Sequence, residues 1–173
     1  MAAIEFVLIL PILIILVFWL IDFARLIHAD LIATNVSREG GSLVSRGINS
    51  GETFLNMLQA SAEPLNLNGS GKIYVHRIAA GTSASTPNPY IDPSQGLARG
   101  ALGVSSSTGS GFPLLGLPAK LYDHLTFSEA PQNAPDILEL WVVEVYYVYK
   151  PITPFLGCTP GYDGVLVRSK SIF

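Results

Sequence analysis

Apolar residues dominate the first 21 positions of the chain, where Glu5 is the single ionisable side chain. About 20 helical residues, rising about 1.5 Å each, span the roughly 30 Å hydrocarbon layer of a membrane. The pattern therefore predicts a membrane-spanning helix. Trp19, followed by Asp22 and Arg25, stands where an interfacial aromatic residue and the first solvated charges are expected. Pro11 removes one backbone hydrogen bond within this helix and predicts a local kink.

The helical pattern continues past the apolar segment. Apolar residues recur near helical spacing at Phe23, Leu26, Ile27, Leu31 and Val36. We expect one helix from about residue 2 to between Gly40 and Gly47, with its second half forming the spine of an external domain. An alternative, an anchor followed by an independent amphipathic helix, differs only in a break near Asp22. Three acidic residues on this helix are expected to be solvated or to face another subunit: Asp22, Asp30 and Glu39.

The rest of the chain predicts a small α+β domain. An amphipathic segment at 52–62 indicates a short helix, and strands are expected at about 72–79, 137–150 and 165–173. Residues 82–136 are rich in Ser, Gly and Pro and are interpreted as a long external loop with a helical turn or two at 119–125. The expected fold is a long N-terminal hydrophobic helix (1–47) and an external domain (48–173) whose antiparallel sheet lies on the outer half of the helix.

Two glutamates in the strand at 137–150 have opposite parity along the chain. Regular alternation would place Glu139 and Glu144 on opposite faces of the sheet. A bulge near residues 141–143 would instead turn both of them outward.

Composition narrows the possible functions. Charged residues make up 13% of the chain, against about 25% in an average soluble domain, and the mean hydropathy is +0.42. The net charge of −3 and the absence of a basic stretch argue against nucleic-acid binding. The histidines lack partners at metal-ligand spacing, Cys158 is the only cysteine, and no nucleophile motif is visible. We therefore predict no cofactor, no metal and no enzymatic activity.

Orientation in the membrane depends on whether the chain has been processed. The nearest positive charges follow the apolar segment, and this order would place the domain in the cytoplasm by the positive-inside rule. Removal of a basic leader would account for the missing charges and place the domain outside. A cleavable signal peptide fits the segment less well, because no Lys or Arg precedes it and its apolar run is long.

Glu5 bears on this question, since a carboxylate in apolar surroundings is costly unless it is paired. One interpretation pairs it with an α-amino group, its own at Met1 or a neighbouring subunit's. The other places residues 1–5 in the headgroup layer, where Glu5 is solvated. The sequence favours neither.

The N-terminal 47 residues resemble those of TadE-like pseudopilins of the tight-adherence (Tad/Flp) pilus, a branch of the type IV pilin superfamily. The similarity rests on the start from Ala2 to Phe6, on Pro11 within the helix, on the step Asp22–Arg25 and on the step Arg38–Gly40. Residues 137–173, with an aromatic strand that enters YKPITPFLG, are also similar to the family.

The resemblance implies a precursor that a prepilin peptidase cuts, so that Met1 becomes the mature N-terminus and Glu5 meets a neighbour's amine during assembly. It implies a pilin-like structural subunit that waits in the inner membrane and then enters an extracellular filament for surface attachment. The partners would be copies of itself or other pilin subunits and the pilus assembly machinery. The expected assembly residues are Met1, Glu5, Phe6, Pro11, Asp22 and Arg25. An alternative is a single-pass envelope protein whose external domain binds a ligand without polymerising.

Overall fold

The structure is a computed structural model that describes residues 2–48, 51–128, 135–153 and 160–173, with side chains from residue 6 onward. Met1, the side chain of Glu5 and Cys158 lie outside the described residues. The elements in chain order are α1 (Ala2–Ser45), α2 (Gly51–Ser61), α3 (Leu67–Ser70), β1 (Gly71–Ala79), β2 (Tyr90–Arg99), α4 (Ala119–Leu125), β3 (Glu139–Tyr149) and β4 (Val165–Ile172).

The long N-terminal helix is confirmed. α1 continues through Pro11 and through Asp22, where the alternative placed a break, and at about 1.5 Å per residue its 44 residues extend about 66 Å. It ends in a Schellman motif: the N–H of Ile48 bonds to the carbonyl of Leu43, and the N–H of Gly47 bonds to that of Val44. Gly47 takes the positive φ of 80° that this motif needs. The helix stops here because this turn satisfies its last carbonyls.

The strands form one antiparallel sheet in the order β2-β1-β3-β4. α1 packs on β3 and β4 with its outer half, so the α+β prediction is confirmed. α2 covers the same face, and its Glu52 forms a 2.8 Å ion pair with Arg99 at the end of β2. The core between helices and sheet is built from buried apolar side chains, among them Val36, Val44, Phe54, Leu58, Ile73, Val75, Trp141, Val143 and Val145.

Two glycines allow α1 to lie close to the domain. A β-carbon on Gly40 would come within 3.1 Å of Leu58 and Val143, and one on Gly41 would overlap the ring of Phe173. Next to them, the buried hydroxyl of Ser37 forms hydrogen bonds of 2.9 Å with Ser169 and Ser171 of β4. The helix therefore meets the sheet through small residues.

The segment 82–136 differs from the predicted loop. It contains β2, which pairs with β1 across a register shift between Val75 and Arg77, and its later part covers the second face of the sheet. That face has its own core of Ile78, Ala80, Leu117, Leu125, Leu140 and Val142. The sequence pattern did not predict β2, because Pro93 and Gly96 are unfavourable inside strands. The sheet tolerates both residues because β2 is an edge strand. The predicted helical turns at 119–125 are confirmed as α4.

Of the two alternatives for β3, the structure shows regular alternation and not the bulge. β3 pairs residue by residue with β1 and β4 without a register shift. Regular alternation therefore holds, and Glu139 and Glu144 lie on opposite faces. Glu144 is nevertheless fully buried, whereas the side chain of Glu139 is 45% exposed and paired with Arg77.

Candidate functional site

The first half of α1 presents apolar side chains on all sides. Every described residue from Phe6 to Ile21 is exposed, so no described part of the external domain packs against this stretch. By length and composition the helix is apolar enough to cross a membrane. Four side chains along one face outline an apolar hollow of about 430 Å³: Ile12, Ile15, Leu16 and Trp19.

An apolar stripe continues on the second half of α1, beyond Ile21. Phe23, Ile27 and Leu31 follow one another at intervals of four residues and are 49%, 47% and 56% exposed. Residues at this spacing lie on one side of a helix. The other side packs on the sheet through Ala29, Ala33 and Val36. The domain therefore covers one side of the outer half and leaves an apolar stripe uncovered.

Asp22 lies where the apolar segment ends and the domain begins. Its side chain is buried, so the expectation that it is solvated is wrong. Oδ1 accepts hydrogen bonds of 2.9 Å from the Tyr149 hydroxyl and from the Ile152 N–H, and Oδ2 accepts two of 2.7 Å from the N–H and hydroxyl of Thr153. Four donors thus use the acceptor capacity of one carboxylate, and the segment after β3 is tied to the helix.

The electrostatics of this cluster favour a charged Asp22. Burial raises the pKa of Asp22, but the hydrogen bonds from Ile152, Thr153 and Tyr149 outweigh it and lower the pKa to about 2. Burial and the neighbouring carboxylate raise the pKa of Tyr149 to about 12. At neutral pH the cluster is therefore an ionised acceptor surrounded by neutral donors.

Glu144 forms a second buried carboxylate cluster that the sequence analysis missed. Oε1 accepts from the hydroxyls of Ser107 at 2.5 Å and Thr108 at 2.7 Å. Oε2 accepts from the Ser106 hydroxyl at 2.7 Å and the Ser107 N–H at 3.0 Å. The ammonium of Lys170 lies 3.4 Å from Oε1. The signal available in the sequence was a glutamate in the middle of an apolar strand together with a run of hydroxyl residues at 105–108.

The surroundings of Glu144 keep it ionised. Burial raises the pKa of Glu144, but the hydrogen bonds from residues 106–108 together outweigh burial and lower the pKa to about 2. Nearby, burial lowers the pKa of His76, whose Nε2 lies 2.9 Å from the Ser106 hydroxyl. Because donors occupy both oxygens of Glu144, its evident role is to anchor the segment that covers the sheet.

The four predicted assembly residues with described side chains do not form one cluster. Phe6 and Pro11 are exposed in the apolar half of α1, and Arg25 is exposed one turn beyond Asp22. Asp22 is buried in the cluster with Tyr149, Ile152 and Thr153, which we call the clamp. Among the described residues, no three His, Cys, Asp or Glu side chains are placed to hold a metal ion. The structure brings Asp22 into contact with the domain and leaves Phe6, Pro11 and Arg25 available to neighbours.

These features define a class of protein: an α+β domain carried on the outer half of an N-terminal helix that can anchor it in a membrane. Residues 1–42 match the family model described as TadE-like protein. The resemblance of this segment is thereby confirmed, and it is consistent with a TadE-like protein of the Tad pilus system. Neither the curated proteins nor the solved structures gave a match. The similarity of residues 137–173 to the family stays a prediction.

Proposed function

We propose that this protein is a structural subunit of a Tad-type pilus. The N-terminal helix holds the chain in the inner membrane after a prepilin peptidase has cut its precursor. The assembly machinery then transfers the helix into a filament core formed with copies of itself or other pilin subunits. The domain coats the outside of the filament on the cell surface. The TadE-like match over residues 1–42 supports this assignment.

The observation that carries the proposal is an apolar helix surface longer than the hydrocarbon layer of a membrane is thick. From Phe6 to Leu31 the exposed apolar residues extend over about 39 Å, since 26 residues rise about 1.5 Å each. The hydrocarbon layer is about 30 Å thick. When Phe6–Ile21 lies in the hydrocarbon layer, the stripe Phe23–Ile27–Leu31 therefore extends from the headgroup layer into water. Packing against neighbouring helices would cover both parts at once and remove the stripe from water.

The apolar half of α1 has a shape that suits such packing. Association of helices in an apolar environment depends on van der Waals contact rather than on a hydrophobic driving force. The hollow at Ile12, Ile15, Leu16 and Trp19 has room for apolar side chains of a neighbouring helix. Glu5, through a neighbour's N-terminal amine, would then define the axial offset between subunits.

Surface attachment is supported by the end of the domain farthest from the apolar segment. β3 runs antiparallel to β1, and its last residues meet Asp22, so the turn between β1 and β2 lies at the opposite end of the sheet. The hydroxyls of Thr82, Ser83, Ser85 and Thr86 crowd this turn and bond to one another. In a filament this polar tip would face outward.

The test compares acidic substitutions at two adjacent exposed positions. Ile27→Asp places a charge in the stripe, whereas His28→Asp places the same charge beside it. We expect both variants to reach the membrane at wild-type levels, and Ile27→Asp alone to be lost from sheared surface filaments. Equal incorporation of both variants, or the absence of the wild-type chain from filaments, would contradict the proposal and favour the non-polymerising envelope protein.

A further inference from the structure

One end of the domain lies at the level where α1 would leave the membrane. Ile152, directly after β3, donates its N–H to Asp22, the first residue beyond the apolar segment. β4 starts at the same end, because Val165 pairs with Tyr149. We call the surface formed by Arg25, residues 150–153 and residues 160–163 the proximal surface.

The proximal surface combines an exposed apolar side chain with cations. Ile152 is 59% exposed although its backbone is held by the buried Asp22. Arg25 is exposed on the helix nearby. Lys150 is 65% exposed, and its ammonium lies 2.7 Å from Asp163, which is 86% exposed. An ion pair this open contributes little to stability, so a competing anion can replace Asp163 as the partner of Lys150.

A groove opens beside Lys150 on the same surface. It has a volume of about 340 Å³, and its lining includes Ser70, Gly103, Gly161 and Tyr162. Sites for small ligands start at about 300 Å³. The groove is therefore large enough for a polar headgroup, with Lys150, Tyr162 and the carboxylate of Asp163 on its wall.

In the membrane-anchored state proposed above, the contact of Ile152 with Asp22 would place this surface against the headgroup layer. Moving an aliphatic side chain from water into this layer lowers the free energy, and basic residues are attracted to lipid phosphates. We propose that the proximal surface binds phospholipid headgroups, with Ile152 inserted between them and with Lys150 and Arg25 bound to their phosphates. This inference rests on the membrane-anchored state of the proposed function and not on polymerisation. The domain would thus be held against the membrane until the subunit is extracted.

The test places spin labels on the full chain in vesicles of phosphatidylethanolamine and phosphatidylglycerol. With Cys158 replaced by Ser, single labels are introduced by Ile152→Cys and by Leu138→Cys. Leu138 is the matched control, an aliphatic residue that is 75% exposed at the opposite end of β3. A third label, from Leu13→Cys, reports whether the apolar segment is inserted. The measurement is the accessibility of each label to oxygen relative to a water-soluble nickel chelate.

We expect the label at residue 152 to have an oxygen-to-nickel ratio several-fold higher than the label at residue 138. Lys150→Gln should reduce this ratio, whereas Lys120→Gln, at the exposed start of α4, should leave it unchanged. Equal ratios at residues 152 and 138, with residue 13 in the bilayer, would overturn the headgroup contact alone. A water-accessible label at residue 13 would overturn the anchored state and the inference with it.

A second measurement needs no variant. Vesicles that carry a photoactivatable group on the lipid headgroup are irradiated with the wild-type chain, and the modified residues are mapped by mass spectrometry. Modification concentrated at 150–153 and 160–163 supports the proposal. Modification that is equally frequent at 82–88, at the far end of the sheet, would contradict it.

Discussion

The hydroxyl of Tyr149, at the end of β3, donates a 2.9 Å hydrogen bond to Asp22, the first ionisable residue after the apolar segment of α1. The two residues are 127 positions apart in the chain. Together with Ile152 and Thr153, this contact ties one end of the sheet to the helix. A pull on the helix during extraction from the membrane would therefore be transmitted to the domain close to the membrane boundary.

We expect Asp22→Asn to lower the melting temperature of the detergent-solubilised chain by several degrees. An amide offers one acceptor oxygen where the carboxylate offers two, and its NH₂ group would face the donors of Thr153 or Ile152. The control is Asp30→Asn, which removes the same charge from an exposed position of the same helix. Thermal unfolding followed by circular dichroism measures both. Identical melting temperatures would show that the clamp does not stabilise the fold.

Glu144→Gln should destabilise the protein by about 1–3 kcal/mol, because an amide cannot satisfy the donors at residues 106–108 and removes the negative charge 3.4 Å from the Lys170 ammonium. Glu139→Gln provides a control on the same strand. It weakens an exposed pair with Arg77 and should change stability by less than about 0.5 kcal/mol. Urea unfolding of the full chain in micelles gives both values. Similar values for the two variants would contradict a buried anchoring role for Glu144.

Stability should fall in acid because of these two carboxylates. The pKa of Asp22 is lowered from 3.8 to about 2 and that of Glu144 from 4.5 to about 2. A group whose pKa is lower in the folded state stabilises that state above the unfolded pKa, and the contribution is lost as the pH falls through the folded pKa. We expect unfolding to become easier between about pH 5 and pH 2. In unfolding curves across this range, the double variant Asp22→Asn, Glu144→Gln should depend less on pH than the wild type, and equal slopes would assign the loss to other groups.

Glu5→Ala is expected to leave membrane insertion intact and to reduce incorporation into filaments. The variant loses the pairing of the Glu5 carboxylate with an amine in apolar surroundings. A loss of about 1.4 kcal/mol already corresponds to a tenfold change in the association constant between subunits. Quantitative immunoblots of the membrane and sheared fractions measure both steps. Glu39→Ala, on the exposed outer half of α1, serves as the control. Normal filament yield from Glu5→Ala would show that Glu5 is not the assembly determinant.

The local pattern of the chain was sufficient to predict α1, α2, β1, β3 and β4. Each of these elements has a strong hydrophobic period or a dense run of β-branched and aromatic residues, and its bounds differ from the prediction by only a few residues. β2 was missed because Pro93, Gly96 and its mostly uncovered side chains give no such pattern. Its strand conformation depends on pairing with β1, which the local sequence does not contain.

By itself the sequence determined a long apolar helix, a sheet on its outer half and a TadE-like N-terminus, because periodicity and short motifs are local properties. Only the tertiary structure decided the roles of Asp22 and Glu144. A carboxylate without known hydrogen-bond donors is expected to be solvated. The donors come from positions 127–131 residues away for Asp22 and mainly 36–38 residues away for Glu144. Burial of a charge depends on distant donors that outweigh the cost of leaving water, and the fold alone brings them together.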